Sequence, residues 1–175
     1  FINCCIATFF YMSDLSQYKQ TTYHIIGAAM EVHGILGWGL VEPIYQEALE
    51  KELQLRGIQC EREKEVPIRY KDFTLDKHFR IDMLVEDVVV ELKSVAQIKA
   101  EHREQLCNYL RLTQKQVGLL INFGERSLIG ERWAFDKESN TCFLINKHMQ
   151  PINHDYDHLF RPTLRQLSNR YNNEN

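Results

Sequence analysis

The sequence predicts an α/β domain in which helices cover a β-sheet. Three observations carry this. Helix-like and strand-like segments follow in the order helix, helix, strand, strand, strand, helix, strand, strand, an alternation that builds layered sheets. Residues 116–123, with Val117, Leu119, Leu120 and Ile121, are apolar nearly throughout, the mark of a strand buried on both faces. The chain's 175 residues suit one domain with a proper core.

Residues 1–11 are apolar but fall short of the roughly 20 that a membrane-spanning helix needs, and they lack the basic start of a secretory signal. Met12, followed by polar Ser13, reads as the natural beginning. Residues 1–12 are then a non-native or disordered extension, 13–147 the folded domain and 148–175 a tail with a short helix over 159–171. Residues 18–36 are predicted helical, with Tyr23, Ile26, Ala29 or Met30, His33 and Leu36 as the inward stripe. Gly37-Trp38-Gly39 breaks that helix. A second begins near Glu42 with Pro43 in its first turn, presents Ile44, Ala48, Leu49, Leu53 and Leu55 as apolar positions, and stops at Gly57. Glu42 at its mouth is favoured there by the helix dipole alone.

Residues 58–70 alternate charged and apolar in strand fashion, with Pro67 pointing to an edge position or a bulge. Lys71-Asp72 turns the chain into a hairpin. Ser94 is placed to cap a third helix over about residues 98–113, whose inward set is His102, Gln105, Leu106, Tyr109 and Leu112. After the buried strand, Asn122-Phe123-Gly124-Glu125 ends it and 127–135 forms another. Beyond Asn140 the pattern weakens.

Apolar residues make up 44% and charged residues 26% of the chain, which places it among soluble globular proteins. A net charge of −3 rules out a wholesale basic polyanion binder, so any such partner must meet a local patch or bound cations. Cys4, Cys5, Cys60, Cys107 and Cys142 are odd in number and scattered, with no C-x-x-C pair. That argues against a disulfide scaffold, a zinc knuckle and an iron–sulfur cluster, and for a reducing, cytoplasmic setting.

The stretch from Arg80 to Lys93 concentrates the chemistry. Val88-Val89-Val90 has strong strand preference. Strand side chains alternate faces, so Glu91 and Lys93 point one way and Leu92 the other. With Glu86-Asp87 as a two-residue turn, Asp82 lies across the hairpin from Glu91. Partners so placed have Cβ atoms roughly 4.5–5.5 Å apart. Two carboxylates that close repel unless a cation or a shared proton lies between them, and a divalent metal is the obvious candidate. The same arithmetic sets Arg80 opposite Lys93, for a phosphate contact or an ion pair with Glu91 or Asp82.

Asp82, eight intervening residues and Glu91-x-Lys93 resemble the signature of the PD-(D/E)xK nuclease superfamily, with Ile81 where the looser proline of the name would stand. The resemblance implies a restriction-endonuclease-like core, a mixed central sheet flanked by helices, and an acid on an upstream helix, here Glu42. Gln105 and Tyr109, four apart on the helix after the lysine strand, resemble the RecB-like branch. Gly39-Leu40-Val41-Glu42-Pro43-Ile44-Tyr45 is similar to the motif that names the GxxExxY proteins. The likeness runs over about residues 23–132. It implies a Mg²⁺- or Mn²⁺-dependent nuclease acting on nucleic acid, DNA first. The short apolar start argues against a membrane partner, and the chain's small size leaves a homodimer or protein partner open.

Mg²⁺ held by one or two carboxylates keeps several waters, neutralises phosphate charge and makes a water nucleophilic. Asp82 and Glu91 supply ligands, the Leu92 carbonyl a third, and Glu42 a direct or water-mediated one; His33 ranks second as a histidine ligand. Lys93 either activates the water or holds the phosphate. Gln105 and Tyr109, one turn apart, steady Lys93 and the substrate phosphate. The plainer reading of Asp82, Glu91 and Lys93 is a charged surface hairpin, and that of His33 a core histidine. Tyr45 reads as a packing residue with a bonded hydroxyl. His148, His154, Asp155, Asp157 and His158 suit a transition metal only if helical, and Pro151 and Asn153 make that stretch a loop. The rival functions are a silent nuclease-fold module that binds nucleic acid or protein, and a ribonuclease or nucleotide phosphohydrolase.

Overall fold

A computed structural model describes residues 15–152. A 3₁₀ turn (Ser16–Tyr18) leads into α1 (Lys19–Leu36), which ends where Gly37, at φ 75°, donates its N–H to the His33 carbonyl. Helix α2 (Glu42–Leu55) opens with Glu42 and Pro43 in its first turn and closes before Gly57, at φ 71°. Strands β1 (Cys60–Tyr70), β2 (Phe73–Val85) and β3 (Val88–Lys93) follow. Then come α3 (Ala100–Thr113), β4 (Val117–Asn122), β5 (Ile129–Asp136) and β6 (Thr141–Ile145).

The six strands form one sheet in sequence order. Every neighbouring pair is antiparallel except β3–β4, which is parallel. A parallel pair needs a long crossover, and α3 supplies it. The mixed sheet flanked by helices is the architecture expected from the sequence. On one face Ile25, Ala28, Leu49 and Leu53 of α1 and α2 pack on Met83, Val90, Leu92, Leu119 and Ile121. On the other, Leu106 and Leu110 of α3 pack on Leu84, Val89, Leu120 and Trp133. Strand β4 is buried at every residue, as its apolar run predicts. A bidentate pair fastens α3 to β5: Arg103 donates to both Glu131 oxygens, 2.6 Å at the shortest, and Glu131 also accepts the Trp133 indole N–H.

Several expectations need correction. Helix α1 buries Thr22, Ile25, Ala28, Ala29 and Val32, while Tyr23 is 72% exposed and Met30 and Leu36 also face water. The helix is turned one residue from the expected stripe, setting the two small alanines on the core. Helix α2 likewise buries Tyr45 and Gln46 and leaves Ile44 and Leu55 exposed. Helix α3 starts at Ala100 with Lys99 at its cap, while the Ser94 hydroxyl donates to the Leu40 carbonyl. The sequence order lacks β6, a five-residue edge strand that follows weakly patterned residues and pairs with β5.

Strand β1 is the opposite edge, and its register shifts between Pro67 and Arg69, as the proline suggests. Beyond that point the β1–β2 pair continues as a ribbon: residues 73–80 are exposed throughout. The proposed start at Met12, the helix over 159–171 and the residues His154, Asp155, Asp157 and His158 lie outside the described residues; His148 is exposed. Among the described residues, Cys60, Cys107 and Cys142 are free thiols, and no helix is long and apolar enough to cross a membrane.

Candidate active site

The hairpin keeps its predicted register: Met83 faces Val90, Leu84 faces Val89 and Val85 faces Val88 across a turn at Glu86-Asp87. The ladder stops one pair short of Asp82 and Glu91. There the Asp82 side chain replaces the backbone, its Oδ2 accepting the Leu92 N–H at 2.7 Å. The pairing of β2 with β1 also skips Asp82, opposite a Glu63 held at φ 50°. Ile81 and Met83, two apart, consequently face different layers of the core. This local break carries Asp82 out of the ladder and towards the end of β3.

Leu92 packs into the α1–α2 side of the core, so Glu91 and Lys93 face the α3 side, as strand alternation requires. Glu91 is 1% exposed. Its Oε1 accepts the Lys93 ammonium at 2.6 Å, whereas its buried Oε2 has no hydrogen-bond donor among the described residues. The Lys93 carbonyl accepts the Phe123 N–H on the β4 side. Leu92 therefore turns its N–H and C=O the other way, towards Asp82.

Electrostatics ties further groups to this centre. Burial, then the charge of Asp82, pushes the Glu91 carboxyl up to about 8, with Lys93 opposing. Burial also raises Asp82, although the Leu92 N–H and Lys93 pull it back. Glu42 is raised by burial, lowered by Lys93 and raised by Asp82, which sets it in the same field. Burial draws the Lys93 ammonium down, but Glu91, Glu42 and Asp82 together outweigh it and raise its pKa. Three carboxyl groups crowd one ammonium; Glu91 keeps its proton at neutral pH and bonds Asp82, and that proton is what a divalent cation would displace.

Residues 19–132 match the model of the PD-(D/E)XK nuclease superfamily. The chain belongs to that superfamily. No curated protein and no solved structure matches it. In this PD-(D/E)XK member, Gln105 Nε2 donates to the Tyr109 hydroxyl at 2.8 Å. Tyr109 is nearly buried, and its pKa is raised by burial first, against the Gln105 bond, and then by Glu91 and Asp82. The helix pair therefore faces the carboxylates. His33 is engaged elsewhere: its Nε2 lies 2.9 Å from the Glu125 carbonyl, with its ring beside Phe123. Arg80 joins Glu65 at 3.4 Å and Glu63 at 4.0 Å on β1, instead of Lys93's neighbours.

Among the described residues, no three His, Cys, Asp or Glu side chains are gathered closely enough to encage a metal by themselves. The donor set is two carboxyl groups and a backbone carbonyl turned towards them. That composition suits a divalent ion such as Mg²⁺, which prefers few protein ligands and keeps its waters, and Glu91 Oε2, without a hydrogen-bond donor among the described residues, is the atom such an ion would satisfy.

Two positioning residues escape the sequence reading. Gln46, one turn after Glu42, donates to Asp82 Oδ1 at 2.9 Å. The signal was present: a polar residue four positions from the predicted acid shares its helix face. Asn122 reads as a turn residue, yet it is fully buried and clamps the loop after Lys93. It accepts the Val95 N–H at 3.0 Å and donates to the Val95 carbonyl at 2.8 Å. Gly124 lets that loop close, since a Cβ there would lie 2.3 Å from the Val95 backbone. If Asp82 ligates a divalent ion, Gln46→Ala is expected to weaken its affinity about 10- to 100-fold, the usual effect of losing a hydrogen bond to a metal ligand; calorimetric Mg²⁺ titration of variant and wild type measures it.

Proposed function

We propose that this protein hydrolyses phosphodiester bonds in nucleic acid, DNA foremost, with Mg²⁺ or Mn²⁺ as cofactor. The observation that carries the reading is the buried Glu91 oxygen beside Asp82, which no donor meets among the described residues, with Lys93 bonded to the same carboxyl group. Asp82, Glu91 and the Leu92 carbonyl would hold the ion, with Glu42 reaching it directly or through water. When bound, such an ion neutralises phosphate charge and lowers the pKa of an attacking water.

The chain's own groups do the rest. Gln46 and the Leu92 N–H fix the Asp82 carboxylate in one orientation. Lys93, kept as the ammonium by its carboxylate neighbours, suits holding the scissile phosphate and stabilising charge as it develops. Gln105 orients the Tyr109 hydroxyl towards the same space. A placement among the GxxExxY proteins is supported by what the motif does here. Gly39 adopts φ 83°, Glu42 enters the site, and the buried Tyr45 hydroxyl donates to the Gly37 carbonyl and accepts the Leu40 N–H. A cytoplasmic setting is supported by Cys107 and Cys142, buried neighbours that remain free.

Single-stranded DNA, duplex DNA, RNA and nucleotides incubated with and without Mg²⁺ or Mn²⁺ test the reading. Divalent-dependent cleavage of DNA is expected; cleavage of RNA or nucleotides alone would reassign the substrate. Saturable metal binding without cleavage of any of the four would favour a silent binding module instead.

A further inference from the structure

The loop between α1 and α2 displays a tryptophan that the catalytic centre does not use. Trp38 is 54% exposed, although indole is a large apolar group that gains much from burial. The loop is firmly held. Gly37 and Gly39, at φ 75° and 83°, flank the ring and give the backbone a path that other residues resist. The Gly39 N–H donates to the Phe123 carbonyl, the Leu40 N–H to the Tyr45 hydroxyl, and the Ser94 hydroxyl to the Leu40 carbonyl. Ser94 directly follows Lys93, and the loop runs straight into Glu42. The exposed ring is thereby fixed at the rim of the carboxylate cluster. Arg126 lies over the ring, its guanidinium carbon 5.8 Å from the centroid. Among the described residues Arg126 has no carboxylate within ion-pair distance.

We propose that Trp38 and Arg126 form a nucleotide platform for single-stranded nucleic acid at the entrance to the site. An unpaired base stacks on the open indole surface, and the guanidinium takes an adjoining phosphate. Stacking is sequence-tolerant because every base has a π-face, and an arginine beside the ring adds cation–π and ionic attraction. A paired base is already stacked within its duplex, so the platform favours single strands. Ile35, Leu40 and Ile44 are exposed too, which by itself would suit a second copy of the chain. The unpaired cation over the ring favours a polyanion.

This inference deepens the nuclease reading and rests on it. The chain has two tryptophans, and Trp133 is 1% exposed in the core, so quenching of the exposed emission component reports Trp38. Oligothymidylate titrated into the protein in EDTA should quench that component, with a duplex of equal length weaker. Trp38→Ala should lower the affinity about ten- to a hundredfold, Trp38→Phe should retain most of it, and Arg126→Ala should reduce the salt dependence. In cleavage assays Trp38→Ala should raise KM for single strands with kcat little changed. Absent quenching, an alanine variant that binds as tightly as wild type, or emission that follows protein concentration alone would overturn the platform. The last would mark a self-association surface. Quenching without divalent-dependent cleavage would defeat the nuclease reading and leave the platform standing. Cleavage lost in Asp82→Ala but unchanged in KM in Trp38→Ala would do the reverse.

Discussion

Replacing Asp82 or Lys93 with alanine should abolish divalent-dependent cleavage while the protein stays folded. Asp82 sits where the β2–β3 ladder has ended, so its side chain serves the site more than the sheet. Its removal frees the Leu92 N–H and the Gln46 amide, at about 1–3 kcal/mol for each donor that water cannot reach. The core on both faces of the sheet remains. Asp82→Asn deletes the charge but turns an amide NH2 against one of the two donors, so it is read beside Gln46→Ala, which loses one of those hydrogen bonds and keeps the carboxylate. For Lys93→Ala the expected fall is at least the roughly 10²–10³-fold typical of losing one group that stabilises developing charge. Cleavage rates with Mg²⁺, beside far-ultraviolet dichroism and melting curves, decide the matter. Substantial activity in either alanine variant would sink the assignment.

The second large effect is a stability that falls as pH rises in the absence of metal. The folded Glu91 carboxyl titrates near 8, while an unfolded glutamate titrates near 4.3. Between those values the folded state binds more protons than the unfolded one. Stability from this group is fully present below the unfolded pKa and is lost as pH climbs through the folded one, with a slope of at most about 1.4 kcal/mol per unit. Asp82 and Glu42, also raised, add in the same direction. Lys93, raised from an already high value, stays charged throughout and contributes no slope here. Melting temperatures of metal-free wild type should therefore decline from about pH 5 to 8 relative to Glu91→Gln, the difference isolating this carboxyl. Mg²⁺ must displace the proton to bind, so its apparent affinity should rise over the same interval and its presence should flatten the decline. Parallel curves for wild type and Glu91→Gln would refute the buried-acid account.

The hairpin was legible in the sequence because two simple rules govern it. A period of two fixes which side chains share a face, and a two-residue turn fixes the register. Both hold from Val85–Val88 to Met83–Val90. They stop holding at Asp82, where the chain leaves the ladder, and this is why Arg80 pairs with β1 glutamates rather than standing opposite Lys93. The faces of α1 and α2 were harder to read. Large side chains such as Tyr23 suggest an inward stripe, but Ala28 and Ala29 lie on the core while the bulkier groups stay in water. Gln46 looks like an ordinary solvent residue until tertiary contact brings it to Asp82. Strand β6 owes its existence to its neighbour β5 more than to its own pattern, the usual fate of short edge strands.

The bare ribbon of β1 and β2 bears on how this protein could be built upon. Its tip at Lys71-Asp72 lies at the far end of a hairpin whose other end holds Asp82. Lengthening a surface turn adds closure entropy only slowly, roughly 0.6 kcal/mol per doubling, and exposed tips tolerate inserted modules. The loops after β3 and β4, at the same end of the sheet, have no such freedom, because Gly124 and Val95 meet there backbone to backbone. The tip is thus the natural attachment point for a sequence-reading module that would deliver strands to the proposed cutting centre near the ribbon's base.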